Sequence, residues 1–289
     1  MTFGCAASGC SVAWQSVAFT AQTALLLVLI GFAVGAFGTL IGAGGGFILT
    51  PILLLLYPHD SAQTLTAISL AAVFFNAASG TSAYARQRRI DYRSALTFGL
   101  ATLPGAVAGA SVVGDVSRHV FDVIMGAVLA GLAVWLLAGE RWPLPQPRRY
   151  LEERTIVDRQ GERYEYRVSL RRGALYSVGV GFLSSFLGIG GGVIHVPLLV
   201  RALGFPTHIA TATSHFVLAI MAGAGTATHV ALGSFHHGHG LRRAASLSIG
   251  VVAGAQLGAH VSLRLRGSVI QWLLGTALLA LAARLLVAA

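Results

Sequence analysis

Two glycine clusters, each set inside an apolar run and each followed by a proline at the same distance, restrict what this chain can build. The first lies in LIGAGGGFILTPILLLL (Leu40 to Leu56) and the second in FLGIGGGVIHVPLLV (Phe186 to Val200). Within a helix a glycine costs about 1 kcal/mol and a proline about 3. Both stretches therefore interrupt a helix where the flanking residues favour one. Inside hydrocarbon, an interrupted helix survives only where protein buries it or where it lines a wet cavity. Both clusters are thus expected at an internal place rather than against lipid.

That the surroundings are hydrocarbon follows from composition. Of 289 residues, 55% are hydrophobic and only 10% charged, with a mean hydropathy of +0.73, against about 25% charged in a soluble domain. Apolar runs recur over Thr23 to Gly38, Thr64 to Tyr84, Ala95 to Val113, Val120 to Ala138, Ala210 to Val230, Ala244 to Ser262 and Val269 to Val287. Several are long enough to cross a bilayer as helices. Phe47 to Leu56 and Ala174 to Leu187 are shorter. The net charge of +10 comes from arginine alone, mostly between apolar runs. It reads as cytoplasmic anchoring rather than as a nucleic-acid surface. Cys5 and Cys10 form no disulfide framework and no metal spacing.

The chain also repeats itself. GAGGGFILTP (Gly42 to Pro51) aligns with GIGGGVIHVP (Gly188 to Pro197) at an offset of 146. At an offset of 145, Thr66, Ala67 and Ser69 fall on Thr211, Ala212 and Ser214, Gly80-Thr81 on Gly225-Thr226, and GAVAGA (Gly105 to Ala110) on GVVAGA (Gly250 to Ala255). Matches in one order along both halves indicate an internal duplication. The expected fold is an all-α polytopic membrane protein of two homologous repeats. Each repeat has about four transmembrane helices and one Gly-rich broken or re-entrant helix. The divisions are an N-terminal lead (1–20), a first repeat (21–138), a cytoplasmic Arg-rich linker (139–173) and a second repeat (174–289). Alternation around Asp158 to Gly161 predicts a small hairpin in the linker, with its turn at Gln160-Gly161. The linker is otherwise read as solvated and apart from the chemistry. A glycine segment that dips in and returns gives four crossings per half and both termini inside; one that crosses gives five, with inverted halves. Arg242 and Arg243 favour the first count, Arg264 and Arg266 the second, and we adopt four plus four.

After each cluster a helix can restart, near Phe47 and near Val193. A helix N-terminus carries unpaired N–H groups and a positive dipole end, and glycines let a ligand approach them. Two such ends would bind an anion near the bilayer midplane, as discontinuous helices do in repeat-built transporters. The ten Asp and Glu residues all fall in loops or at span ends, so a cation substrate is disfavoured. Candidate substrate-binding residues are Gly44, Gly45, Gly46, Pro51, Gly190, Gly191, Gly192 and Pro197 at the breaks. Thr66, Ser69, Asn76, Thr211, Ser214, His215 and His195 lie on the helices around them. The hydroxyls could equally bond their own helix carbonyls. Histidine titrates at about pH 6.5, which leaves proton coupling open through His195 or His215. No cofactor and no catalytic residue is expected. Adjacent Ser214 and His215 point about 100° apart on a helix and cannot form a nucleophile–base pair. The alternative is a metal-dependent membrane enzyme or divalent-metal transporter using the loop His236 to His239 (HHGH).

GAGGGFILTP and GIGGGVIHVP, with TAIS and TATS in the helices that follow, resemble the sulfite exporter TauE/SafE family, also called the toluene sulfonate uptake permease family. The resemblance covers both halves but neither the N-terminal lead nor the linker. It implies a permease of about eight helices, built by duplication of a four-helix unit, for sulfite, organosulfonates and related anions. By position, Gly44, Gly45, Gly46 and Pro51 match the first motif and Gly190, Gly191, Gly192 and Pro197 the second. The expected function is a secondary transporter of a small sulfur-containing anion in the bacterial inner membrane, working by alternating access. The sequence leaves direction, coupling ion and oligomeric state open.

Overall fold

Short polar side chains open three of the first helices. Thr20 accepts from Thr23 N at 3.2 Å, Ser61 from Thr64 N at 3.2 Å and Asp91 from Ser94 N at 3.1 Å, each satisfying a donor that the first turn leaves unpaired. The computed structural model describes residues 19–137, 151–235, 239–265 and 267–288. Cys5, Cys10, the beginning of the linker, His236 and His237 lie outside the described residues. The helices are α1 (Ala21–Leu40), α2 (Gly46–Leu56), α3 (Ala62–Arg86), α4 (Tyr92–Val112), α5 (Arg118–Leu137), α6 (Leu170–Leu187), α7 (Gly192–Arg201), α8 (Thr207–Ala231), α9 (Gly240–Ser262) and α10 (Gly267–Ala288). Strands β1 (Glu152–Val157) and β2 (Arg163–Val168) lie between α5 and α6. Six described helices, α1, α3, α4, α5, α8 and α9, are long and apolar enough to cross a membrane. The chain is a multi-pass membrane protein. Each half has four long helices and one short one, α2 or α7, placed directly after its glycine cluster.

The ends of the bundle are fixed by contacts between distant junctions. At one end Arg118 donates to Asp60 O and Leu54 O, both at 2.9 Å, Arg243 pairs with Asp60, and Phe19 meets His239 at 5.8 Å. At the other end Gln87 donates to Ala259 O at 3.0 Å and the β-hairpin packs on the α3–α4 junction. Helix α3 therefore runs toward the hairpin and α8 away from it. The two halves are inverted, against the expectation of four plus four crossings with both termini on the linker side. The reason is α2: it is a separate helix that returns beside α3, with Thr50 of α2 donating to Ser69 of α3 at 2.8 Å. Together α1 and α2 go in and come back.

The halves interlock through glycine. On α9, Gly250, Gly254 and Gly258 lie against the α1 backbone at Val28, Phe32 and Ala36. At the equivalent place on α4, Gly105 and Gly109 lie against α6 at Val178 and Phe182. Without hydrophobic drive between helices in lipid, small residues at this four-residue spacing let backbones approach.

The hairpin has the predicted turn, with Gly161 at φ 87°, but it is docked rather than solvated, and α6 begins at Leu170, inside the expected linker. Arg89 and Asp158 form an ion pair at 2.9 Å with side chains only 5% and 0% exposed. Tyr166 donates to Asp91 at 2.8 Å and packs on Phe205, with ring centroids 4.7 Å apart. Arg159 N donates to Gln87 O at 3.0 Å. The hairpin thus ties the α3–α4 junction of one half to the α7–α8 connection of the other.

Candidate functional site

At the end of α1 the chain turns back on itself. Ala43 N and Gly44 N both donate to Gly38 O, at 2.8 and 3.1 Å. Gly45 follows at φ 80°, a left-handed conformation, and caps α2 without any side-chain hydrogen bond. A Cβ there would stand 2.9 Å from Val34 O, so glycine is needed for both conformation and space. The second break is built alike: Ile189 N donates to Ser184 O at 3.1 Å, and Gly191 caps α7, again without a side-chain bond. Pro51 and Pro197 each lie one turn and a half inside the restarted helix.

The two breaks meet. A Cβ on Gly46 would stand 2.6 Å from Ile189 O, and one on Gly192 would stand 2.5 Å from Gly42 O. Val73, near the middle of α3, lies beside Gly44, Gly46 and Gly190, and Leu218, near the middle of α8, lies beside Gly44. Two uncapped helix N-termini are thus brought together at mid-bundle, each contributing a positive dipole end. Gly44 to Gly46 and Gly190 to Gly192 are fully buried, so the meeting point is closed to solvent. The nine described carboxylates sit at the two ends of the bundle, away from it.

Around the breaks the predicted residues divide. Ser69 reaches across, donating to Gly188 O at 2.7 Å, and Asn76 donates to Gly44 O at 3.1 Å and Gly35 O at 3.4 Å. His215 approaches Thr39 Oγ1 at 3.3 Å through Nε2. Thr66 and Thr211 pack at the breaks, beside Gly188 and Gly42, while their hydroxyls bond their own helices at Gln63 O and Thr207 O. Ser214 is buried with its Oγ unpartnered. His195 turns from the break to Ser177 of α6, at 3.1 Å. Of the histidine loop, only His239 is described.

Several polar residues here were not singled out from sequence. Thr50 Oγ1 lies 2.8 Å from Gly188 O, Thr39 donates to Asn76 Oδ1 at 2.5 Å and Tyr84 donates to Thr39 O at 2.7 Å. Ser184 and Ser185 are buried with unpartnered hydroxyls. The repeat register held one signal for them: Thr39 and Ser185 each stand three residues before the first glycine of their cluster.

The family model described as Sulfite exporter TauE/SafE matches residues 27–285. The chain belongs to that family. It is 30% identical over 270 residues to the "probable membrane transporter protein" YunE of Bacillus subtilis, covering 91% of this chain and 97% of the relative. A protein of Methanocaldococcus jannaschii with the same description is 28% identical over 194 residues, 65% of this chain and 66% of its own. One from Haemophilus influenzae is 24% identical over 255 residues, 85% and 88%. No solved structure matches the chain. The protein is a membrane transporter of a permease family, and transport is the activity its site must explain.

Proposed function

We propose that the chain is a secondary transporter of small oxyanions, with sulfite and organosulfonates as its substrate class, working by alternating access in the bacterial inner membrane. The observation that supports this most is the meeting of two uncapped helix N-termini at mid-bundle, with every described carboxylate kept at the ends. Such a place favours an anion through backbone N–H groups and helix dipoles. The hairpin end, with the exposed Arg86, Arg88, Arg93 and exposed arginines of the hairpin, is assigned to the cytoplasm. The inverted halves offer two arrangements of similar energy, one open to each side. His215, buried beside Thr39 and Tyr84, is the group proposed to couple the anion to a proton.

The test is uptake of labelled sulfite into proteoliposomes under an imposed pH gradient. The expected result is saturable uptake, competed by taurine, sulfoacetate or thiosulfate and stimulated by the gradient. In His215→Asn the stimulation should vanish while anion exchange continues. No saturable uptake of any of these anions by folded protein would refute the substrate class. Undiminished gradient stimulation in His215→Asn would refute the coupling role alone.

A further inference from the structure

Matching positions of the two halves are wired differently on the two sides of the breaks. In the repeat register Thr39 corresponds to Ser185, Asn76 to Met221, Gly80 to Gly225 and Tyr84 to His229. The first-half set, toward the hairpin, is closed on itself. Thr39 donates to Asn76, Tyr84 donates to Thr39 O, and Asn76 donates to Gly44 O and Gly35 O.

The second-half set, toward the opposite end, is open. Ser184 and Ser185 are 0% exposed, and neither hydroxyl has a partner. Ser184 Oγ lies 3.3 Å from where a Cβ would stand on Gly191, the cap of α7. Ser185 Oγ lies 3.1 Å from the same point on Gly225, and one turn further along α8 stands His229. That ring is also 0% exposed, meeting Ser234 Oγ at 3.1 Å through Nδ1 and leaving Nε2 without a partner. Ser234 lines a cavity of about 420 Å³ at the end away from the hairpin, together with His59, Asp60 and Ser61. Thr226 is unpartnered as well, but so is its counterpart Thr81, so that position does not distinguish the two sides.

Buried polar groups in folded proteins are paired in more than about nine cases in ten. Three unpaired ones, spread from the uncapped N-terminus of α7 to the turn of α8 that carries His229 above a polar cavity, match a hydrogen-bond acceptor that passes through. We propose that the substrate's route from the glycine breaks to the side opposite the hairpin runs past Ser184, Ser185 and His229 into the cavity at Ser234. The passing anion accepts hydrogen bonds from the serine hydroxyls and the imidazole N–H. On the other side the Thr39–Asn76–Tyr84 set is hydrogen-bonded, with the docked hairpin beyond it, although Ser214 Oγ and His215 Nδ1 there are unpartnered as well. The route rests on the anion-transport reading given above.

The test is cysteine labelling in oriented vesicles, with Cys5 and Cys10 replaced by serine. Ser185→Cys is compared with Thr39→Cys, its counterpart, using a membrane-impermeant methanethiosulfonate reagent applied from either face. Ethanesulfonate is the protecting anion, since it does not consume the reagent. Ser185→Cys should label from the face opposite the hairpin roughly tenfold faster than Thr39→Cys does, as a site on an opening path would, and ethanesulfonate should slow it. Equal rates, or labelling of Ser185→Cys only from the hairpin face, overturn the route. Ser184→Ala and Ser185→Ala give the second measurement: a raised KM for uptake at unchanged Tm is expected, and an unchanged KM in both overturns the contact. If wild type carries no sulfur oxyanion and ethanesulfonate gives no protection, yet Ser185→Cys labels as stated, the water-lined path stands and the anion reading fails.

Discussion

Replacing Asp158 with asparagine should release the β-hairpin from the bundle while leaving the helices in place. The asparagine would keep the turn, because its side-chain oxygen can still accept from Gln160 N and Glu162 N, which now lie at 2.9 and 3.0 Å from Asp158 Oδ1. What is lost is the charge opposite Arg89, whose side chain is 5% exposed. Removing one partner of a buried ion pair costs about 3 to 5 kcal/mol, because the other charge stays buried without compensation. Gln160 Oε1, 3.1 Å from Arg89 Nη2, offsets part of this, so the lower figure is expected. At about 1.4 kcal/mol per decade, the undocked population should rise by roughly a hundredfold. Trypsin reads this directly at Arg154, Arg159, Arg163 and Arg167, since cleavage follows the open population when reclosing is fast. Glu153→Gln is the comparison: its partner Arg167 is 66% exposed and Glu153 76% exposed, so cleavage should not change. Cleavage of Asp158→Asn at the wild-type rate would refute the claim that this pair holds the hairpin down.

Acid should act on the same latch. Burial raises the Asp158 carboxyl, but the hydrogen bond from Arg89 and those from Glu162 N and Gln160 N outweigh it, and the net shift is downward. A carboxyl depressed in the folded state stabilises fully above its unfolded value, about 3.9, and ceases to do so as pH falls through the lower folded value. Pepsin cleavage of the hairpin should therefore accelerate only below about pH 4, and Asp158→Asn should show no such step. Glycine packing gives a prediction that opposes helix propensity. Gly46→Ala and Gly192→Ala place a Cβ 2.6 and 2.5 Å from the carbonyls of Ile189 and Gly42 and should cost about 1 to 3 kcal/mol. Gly131→Ala and Gly179→Ala, with nothing within 4 Å, should gain up to about 1 kcal/mol. Thermal melting in detergent separates the pairs, and equal shifts for all four would refute break-to-break packing.

Much of the fold was legible because it is written locally. The spans follow from runs of apolar residues, the hairpin from alternation around a Gln-Gly turn, and the breaks from clustered glycine. Orientation was not legible, and Arg243 shows why. Read as a topogenic charge it placed its loop on the wrong side, yet in the structure it pairs with Asp60 and lies over the Tyr57 ring, 3.7 Å from its centroid. A cation held by protein no longer reports which side of a membrane it faces. Docking of the linker is hidden from the sequence for a similar reason: Asp158 looks like any turn aspartate until Arg89, 69 residues away, buries against it.

The sequence by itself determined where helices stop and where they restart. Those depend on glycine, proline and hydrophobic period within a few residues. Only the tertiary structure decided that the two breaks meet, that the halves are inverted, and that Thr39 is paired while its counterpart Ser185 is not. Ser69 finds Gly188 O across 119 residues and Thr39 finds His215 across 176. A hydroxyl's partner at that separation depends on how whole helices pack, and no local pattern encodes it.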